Sequence, residues 1–403
     1  MYKLILKMAW KNSFTRPART LLVITMIAVS MSMMLAIQGL YDGMVKNMVD
    51  KNKRSDSGDV SLYAKDYRVE KDIKYIIKDA VKMKEDIEKL EGVEAVVLRV
   101  MADGLLSTAR KSSFASVYGI DLKAEEEFGE FSGFLKEGEI NLDKRGAVIG
   151  IELAKTLKVG IGSKLVFSTQ DTLGNINSIA LKIKAIVQTT NILLDSNAIF
   201  VDIALLHKFL GTSPLDATQI AVMGEDKNLV KLLKAKYSNL DVKSFLELQP
   251  MIKQMQEMMV IFNSITFFIV MSVVFIGIFG VVYVSILDRI REFGIVLGIG
   301  MQYKYIKAQI FLESVIVGLL GYISGALLGA ILLVYLRDYG LDLSSFSDAL
   351  EMWGYEAIIT GTIKVSYFTT TFVAILAASV LSVLIPIRKI KKLNPIDVIK
   401  AEK

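Results

Sequence analysis

The chain has 403 residues, 53% of them hydrophobic, with a mean hydropathy of +0.45, 48 basic and 42 acidic side chains, one histidine and no cysteine. The missing thiols exclude disulfides, thiolate metal sites and a cysteine nucleophile together, and leave the redox compartment open. The net charge of +6 gathers beside apolar stretches, so it reads as a membrane-topology signal and not as a nucleic-acid footprint.

Residues 1–19 place Lys3, Lys7 and Lys11 on one helical face and Leu4, Ile5, Met8 and Phe14 on another, with Trp10 at headgroup level. This pattern predicts an amphipathic helix lying in the cytoplasmic membrane interface, broken by Pro17. Four long apolar stretches follow, at Thr20 to Tyr41, Val260 to Leu287, Ala308 to Leu336 and Phe368 to Ile387. About 20 helical residues at ~1.5 Å rise cross ~30 Å of hydrocarbon, so each stretch is long enough to span a bilayer. The spans are set at 20–42, 258–287, 306–336 and 368–387. The first is too long for a signal-peptide core and no small-x-small site follows it, so it is expected to remain as an anchor.

Charge sets the orientation. Lys3, Lys7, Lys11, Arg16 and Arg19 precede the first span, and Arg289, Arg291, Lys304 and Lys307 lie around the 288–305 connection. Arg388, Lys389, Lys391, Lys392, Lys400 and Lys403 fill the tail at 388–403. The 337–367 connection has Arg337 and Lys364 against Asp338, Asp342, Asp348, Glu351 and Glu356. Both termini are therefore expected in the cytoplasm, and residues 43–257 outside.

The 43–257 segment reads as α+β. Asp72 to Glu91 has helical spacing through Ile73, Ile76, Ile77, Ala80, Val81, Ile87 and Leu90, between strand-like Val60 to Tyr63 and Ala95 to Val100. The pattern returns as strand-like Gln219 to Met223, helical Lys227 to Tyr237 and strand-like Val242 to Phe245. Two β-α-β units thus form a split core, with a strand-rich subdomain inserted at about 103–213. Within it Ile179, Leu181, Ile183 and Ala185 alternate with polar or small neighbours, as a half-buried strand should, and Asp171 to Asn177 reads as an exposed hairpin tip.

Catalytic chemistry is sparse. No Gly-x-x-x-x-Gly-Lys-[Ser/Thr] loop occurs, and Gly160-Ile161-Gly162-Ser163-Lys164 has the wrong spacing and reads as a turn before the strand Leu165 to Ser168. His207 has no second histidine or cysteine to share a metal and reads as part of an amphipathic helix. Glu125, Glu126 and Glu127 read as a solvated helix face. The expectation is a chain without a catalytic or metal site of its own.

The spans carry more information. Gly318, Gly321, Gly325 and Gly329 lie in the third, and the last three make two small-xxx-small steps that let a neighbouring helix approach closely. The first span is rich in methionine, with Met31, Met34 and Gln38 toward its outer end, and the second adds Met258, Met259, Phe262 and Phe267. Two readings stand: a greasy cavity between these spans, or ordinary lipid-facing and packed helix surface. Between spans two and three, Asp288 to Gly300 begins charged, turns apolar and ends in glycines, a make-up suited to a short helix docking into a partner's groove.

The motif Arg289-x-x-Glu292-Phe293-Gly294-Ile295-x-x-x-x-Gly300, followed by Phe311-Leu312-Glu313-Ser314 and the glycine stripe, resembles the permease domain of type VII ABC transporters, the MacB/FtsX superfamily. The tail from Pro386 to Ile399, with Asn394-Pro395, is similar to that family's closing pattern. Gly119-Ile120-Asp121, Val148 to Ala154, and Phe245 to Pro250 resemble the lipoprotein-releasing permeases LolC and LolE most, although those usually carry Trp where Phe245 stands.

The resemblance implies four transmembrane helices plus a large α+β periplasmic domain of MacB-like type in the bacterial inner membrane. It implies a dimer with an identical or different permease, beside a LolD-like ATPase dimer that binds the ATP and Mg. Residues 288–305 would form the coupling helix. Arg289, Arg291, Glu292, Phe293, Gly294 and Gly298 would meet the ATPase, with Phe293 as the apolar plug. The acyl chains of a lipoprotein cargo would lie against Met31, Met34, Leu35, Gln38, Met258, Met259, Phe262 and Phe267. They would be expelled by mechanotransmission toward a periplasmic chaperone. The tip at Asp171 to Asn177 lacks the proline of the LolC hook. A MacB-like efflux permease and an FtsX-like regulator of a peptidoglycan hydrolase are the alternatives.

Overall fold

The computed structural model describes residues 2–189, 191–224, 228–346, 350 and 357–391. Lys227, Asp348, Glu351, Glu356, Asn394-Pro395 and the basic tail from Lys392 lie outside the described residues. The chain divides into a helical unit, Met1–Val45, Gln256–Leu343 and Ile358–Lys403, and an α+β unit, Lys46–Met255 with Ser344–Ala357.

Helix α1 (Tyr2–Ser13) leaves Leu4, Leu6, Met8 and Trp10 exposed and buries Ile5 and Ala9, with Phe14 exposed just beyond its end. The helix is broken ahead of Pro17, as expected, and Pro17 itself opens α2 (Pro17–Asn52). A proline needs no N–H partner in a first turn, so it starts a helix as readily as it stops one. The Thr20 hydroxyl donates to the Ser13 carbonyl at 2.5 Å and ties the bend between the two helices. A π-helical turn, Lys53–Ser57, follows α2.

The α+β unit continues through β1 (Val60–Ala64), the single turn α3 (Tyr67–Glu70), α4 (Ala80–Glu88), β2 (Val93–Ser107), β3 (Ser112–Ile120), α5 (Leu122–Gly129), β4 (Leu135–Gly138) and β5 (Gly146–Gly150). Then come α6 (Ile151–Leu157), β6 (Lys164–Gln170), β7 (Ile176–Val187), α7 (Ile192–Asn197), β8 (Ala198–Asp202) and α8 (Ile203–Leu210). The unit closes with β9 (Gln219–Gly224), α9 (Leu229–Lys236), β10 (Leu240–Ser244) and α10 (Phe245–Leu248).

Strands run in the order β10-β1-β9-β2, each pair antiparallel. The units β1-α4-β2 and β9-α9-β10 therefore interleave, as in a ferredoxin-like β-α-β-β-α-β layer. Strand alternation sends Val60, Leu62, Val96, Ile220, Val222 and Val242 to the face covered by α4 and α9. Val97, Ala221 and Met223 point to the opposite face, against Phe128 of α5.

Strand β2 does not stop at this layer. Its second half pairs with β3 and β6, and pairing continues through β8, β5 and β7 back to β6, closing a six-stranded ring around Val117, Ile149, Phe167, Leu181 and Ile199. Closure leaves these strands without open edges. The insertion boundary placed at 103 thus falls inside a continuous strand, and the subdomain shares β2 with the core.

Two element limits also differ from expectation. The helix expected over Asp72 to Glu91 is confined to α4, because Ile77 pairs through its backbone with Ala217 and Asp79 takes a left-handed conformation at φ 52°. The last strand ends at Ser244, whose side chain forms a capping box with Glu247, so buried Phe245 begins a helix instead.

The helical unit then adds α11 (Pro250–Asp288), α12 (Ile290–Gly298), α13 (Tyr303–Asp338) and α14 (Val365–Lys391). Four of its helices, α2, α11, α13 and α14, are long and apolar enough to cross a membrane. Val23, Ile27, Met31 and Leu35 of α2 pack in one core with Val274, Ile278 and Val282 of α11, Ile310, Val317 and Leu333 of α13, and Ile375 and Val383 of α14. The Ser314 hydroxyl donates to the Ser379 carbonyl at 2.8 Å, a polar tie between α13 and α14 within the apolar zone.

Candidate functional site

The corner between α11 and α13 concentrates the charge of the helical unit. Only Arg289, which departs from helical geometry at φ −108° and ψ 14°, separates α11 from α12. Its guanidinium reaches the Glu313 carboxylate of α13 at 2.9 and 3.2 Å and Glu292 at 3.1 Å, and lies 5.0 Å from the Phe293 ring centroid. Gln309 donates to the same Glu313 carboxylate at 3.0 Å. An ionised side chain in an apolar helix has to be paired, and Glu313 is held by two donors. On the other side, the carboxylate of Asp288 takes Arg16 at 2.7 Å and Arg19 at 2.9 Å.

This arrangement divides the residues expected to meet a partner. Arg289 is mostly covered, and Phe293 and Gly294 are buried. Phe293 is therefore not a plug offered outward. Its ring packs into the helical core beneath Arg289, because the pairing of Arg289 with Glu313 rotates that face of α12 inward. The outward face carries Arg291, Glu292, Ile295 and Gly298, with Ile299 just beyond the helix. Ile299 is 83% exposed.

The residues expected to hold acyl chains also separate. Met31, Met34 and Leu35 are fully buried and Gln38 is nearly so, its Oε1 lacking a partner. They do not line an open cavity. The reason is the glycine stripe: a Cβ on Gly321 would stand 2.7 Å from Ile27, one on Gly325 2.9 Å from Met31, and one on Gly329 2.5 Å from Leu35. The space those glycines leave is filled by α2. Gly318 faces Ser379 of α14 instead. Met258 and Phe262 on α11 are exposed, with Met259 and Phe267 partly covered.

A second polar centre lies within the α+β unit. Arg99 on β2, 2% exposed, donates through Nε and Nη2 to Glu125 at 2.5 and 2.7 Å, and through Nη1 to the Asp56 carbonyl of the π-helical turn. Glu125 is buried, contrary to the solvated face expected for the acidic run, because α5 turns it toward Arg99. Burial lifts the Asp56 carboxyl above its usual range, against the opposing charge of Arg99. These groups spend their bonds on one another and anchor the π-helical turn to the sheet.

No catalytic arrangement accompanies these centres among the described residues. His207 is buried in α8 with Nδ1 2.8 Å from the Thr212 hydroxyl, and burial lowers its pKa. Among the described residues, no group of three or more histidines or carboxylates is placed to hold a metal ion. The partners that sequence reading left unassigned are Asp288, Gln309 and Glu313. A lone glutamate in the third apolar stretch was the available signal for the last.

Comparison with known proteins bears on both units. Residues 20–240 match the family described as MacB-like periplasmic core domain, and residues 264–395 match the FtsX-like permease C-terminal family. The macrolide export ATP-binding/permease protein MacB of Haemophilus ducreyi is 26% identical over 261 residues, 60% of this chain and 34% of the relative. The MacB of Pasteurella multocida is 32% identical over 130 residues, 32% of this chain and 19% of the relative. The chain spans about a third or less of the length of these curated relatives. Among solved structures, the periplasmic region of MacB from Actinobacillus actinomycetemcomitans aligns over 49% of this chain and 92% of its own, with TM-score 0.33 and 16% identity. The extracellular domain of the ABC-type transporter YknZ from Gram-positive bacteria aligns over 47% of this chain and all of its own, with TM-score 0.31 and 12% identity.

Proposed function

The chain belongs to the MacB-like periplasmic core domain family, and from that premise we propose that it is the permease of an ATP-driven ABC transporter whose ATPase is a separate chain. The observation that carries this reading is the two-sided α12. One side is fastened to the helical core by Arg289, Glu313 and Phe293, and the other presents Glu292, Ile295 and Ile299 outward. A helix built this way transmits a push, because force applied to its outer face passes through a paired charge and a buried ring into α13. ATP-driven closure of the partner would thereby move the helices and the α+β unit continuous with them in the chain, with both termini cytoplasmic and the α+β unit periplasmic.

For the cargo, the LolC/LolE resemblance favours extraction of lipoproteins from the outer leaflet toward a periplasmic carrier. The exposed Met258 and Phe262 of α11, with Met259 and Phe267, supply the apolar surface. Removing acyl chains from a bilayer costs ~0.8 kcal/mol per CH₂, a load that calls for ATP. The matched MacB relatives favour macrolide-type efflux as the second reading.

Two experiments test these readings. Glu292→Lys and Ile295→Asp are expected to reduce co-purification of the ATPase at least tenfold while the α+β unit stays folded; undiminished capture by both variants would refute the coupling role of α12. Purification of the intact complex from membranes is expected to bring triacylated lipoprotein with it. Its absence, together with normal lipoprotein sorting in a Phe262→Asp strain, would discard the extraction reading and leave efflux.

A further inference from the structure

A cavity of about 160 Å³ opens inside the α+β unit, walled by the π-helical turn, β1, α3, β2, β3 and α10. It is well below the ~300–1,000 Å³ of a drug-sized site, so its occupant is a small molecule. Its charges are sorted by element. Asp56 on the π-helical turn and Asp103 on β2 bring two carboxylates, whereas Arg68 of α3 and Lys71 at the C-terminal cap of that helix bring two cations. The lining therefore carries both signs and balances at no net charge.

Most of the polar groups are already committed. Arg68 pairs with Asp241 at 3.6 Å and lies over the Tyr63 ring. The Tyr63 hydroxyl accepts from Gln219 at 2.9 Å, the Tyr67 hydroxyl donates to the Met101 carbonyl at 3.0 Å, and Asp103 accepts from the Ser116 hydroxyl at 2.5 Å. Two charges of opposite sign are left over. Arg99 gives its donors to Glu125 and to the Asp56 backbone carbonyl but stands 4.0 Å from the Asp56 carboxylate, which accepts no hydrogen bond among the described residues. Lys71 lies 5.7 Å from the Tyr67 ring centroid and pairs with no carboxylate among the described residues. Burial raises the Asp56 carboxyl, and the charges of Arg99 and Lys71 offset this only in part, so the carboxylate gains from a further donor.

We propose that this cavity is a binding site for a free α-amino acid, its ammonium on Asp56 and Asp103 and its carboxylate on Lys71. A zwitterion meets both leftover charges at once and brings no net charge into a balanced site. Met101 and Leu248 give its side chain an apolar wall. Occupancy joins the π-helical turn to α3 and the sheet, so the amino acid is a ligand of the α+β unit, apart from cargo and from ATPase coupling.

The test uses the full chain purified in detergent, with each common α-amino acid added singly at millimolar concentration. At least one is expected to raise the melting temperature and to bind saturably in titration calorimetry. Its N-acetyl derivative, which lacks the ammonium, and its decarboxylated amine, which lacks the carboxylate, are expected to do neither. Asp56→Asn and Lys71→Gln should each weaken binding roughly tenfold or more, the weight of one charge-assisted hydrogen bond. Lys71 is exposed, so its variant keeps the fold and stays decisive if Asp56→Asn disturbs the π-helical turn. The proposal is overturned if no amino acid binds, if the N-acetyl derivative or the amine binds as tightly, or if Lys71→Gln binds as the native chain does. Equal binding by a dipeptide, whose terminal charges lie further apart, overturns it too, by assigning the cavity to a peptide end.

Discussion

Replacing Glu125 by leucine removes the carboxylate that takes two donors from Arg99, a guanidinium 2% exposed within the α+β unit. Two charge-assisted bonds are lost, but most of the cost comes from the charge left behind in a site closed to water. Breaking one partner of a buried pair costs about 3–5 kcal/mol. Asp56, whose carboxylate stands 4.0 Å from Arg99, can take up part of the charge, so the lower end of that range is expected. For a unit of this size each kcal/mol moves the melting temperature by roughly 2–4 °C, which gives a fall of roughly 6–12 °C. The assay is thermal melting of the full chain, with hydrogen exchange at β2 and β9 locating the loss. Arg99→Met/Glu125→Leu should recover most of the stability, because apolar groups of similar volume leave no charge to compensate. A single variant within ~1 kcal/mol of the native chain, or a double variant no better than the single, would refute the argument.

Three further outcomes follow from other parts of the molecule. Burial raises the Asp195 carboxyl to about 6 from its ordinary 3.8, against two hydrogen bonds from Thr189 that lower it. The folded state holds this proton more tightly than the unfolded one, so stability falls as pH rises from about 4 to 6, and Asp195→Asn should flatten that slope in melts across the window. Gly325→Leu must push α2 and α13 apart, since even a Cβ would lie 2.9 Å from Met31 and 3.0 Å from the Ala28 backbone; a cost of about 1–3 kcal/mol should appear in detergent melts, whereas Gly298→Ala, with open space around it, should change nothing. Glu313→Gln deprives Arg289 of its carboxylate inside the helical unit, and faster hydrogen exchange across Ile290–Gly298 is the expected result.

The four membrane-crossing helices were legible in the chain, because length and hydropathy are local properties and a bilayer demands little else. The two β-α-β units and the glycine stripe were legible for the same reason, since period and spacing survive in one dimension. The α12 segment announced itself by composition, but which of its faces turns outward did not. That depends on Glu313, more than twenty residues away, drawing Arg289 and with it Phe293 into the core. Met31 and Leu35 show the same limit: their apolar character was plain, yet whether they line a cavity or fill one was decided by the absent side chains of Gly325 and Gly329 on another helix. The strand shared by both layers of the α+β unit, and the burial of Glu125 against Arg99, likewise arise from pairings between residues distant in sequence. Apolar periodicity determined which segments are buried. Only the tertiary structure decided against what, because a side chain's partner is set by the geometry of elements that no local pattern encodes.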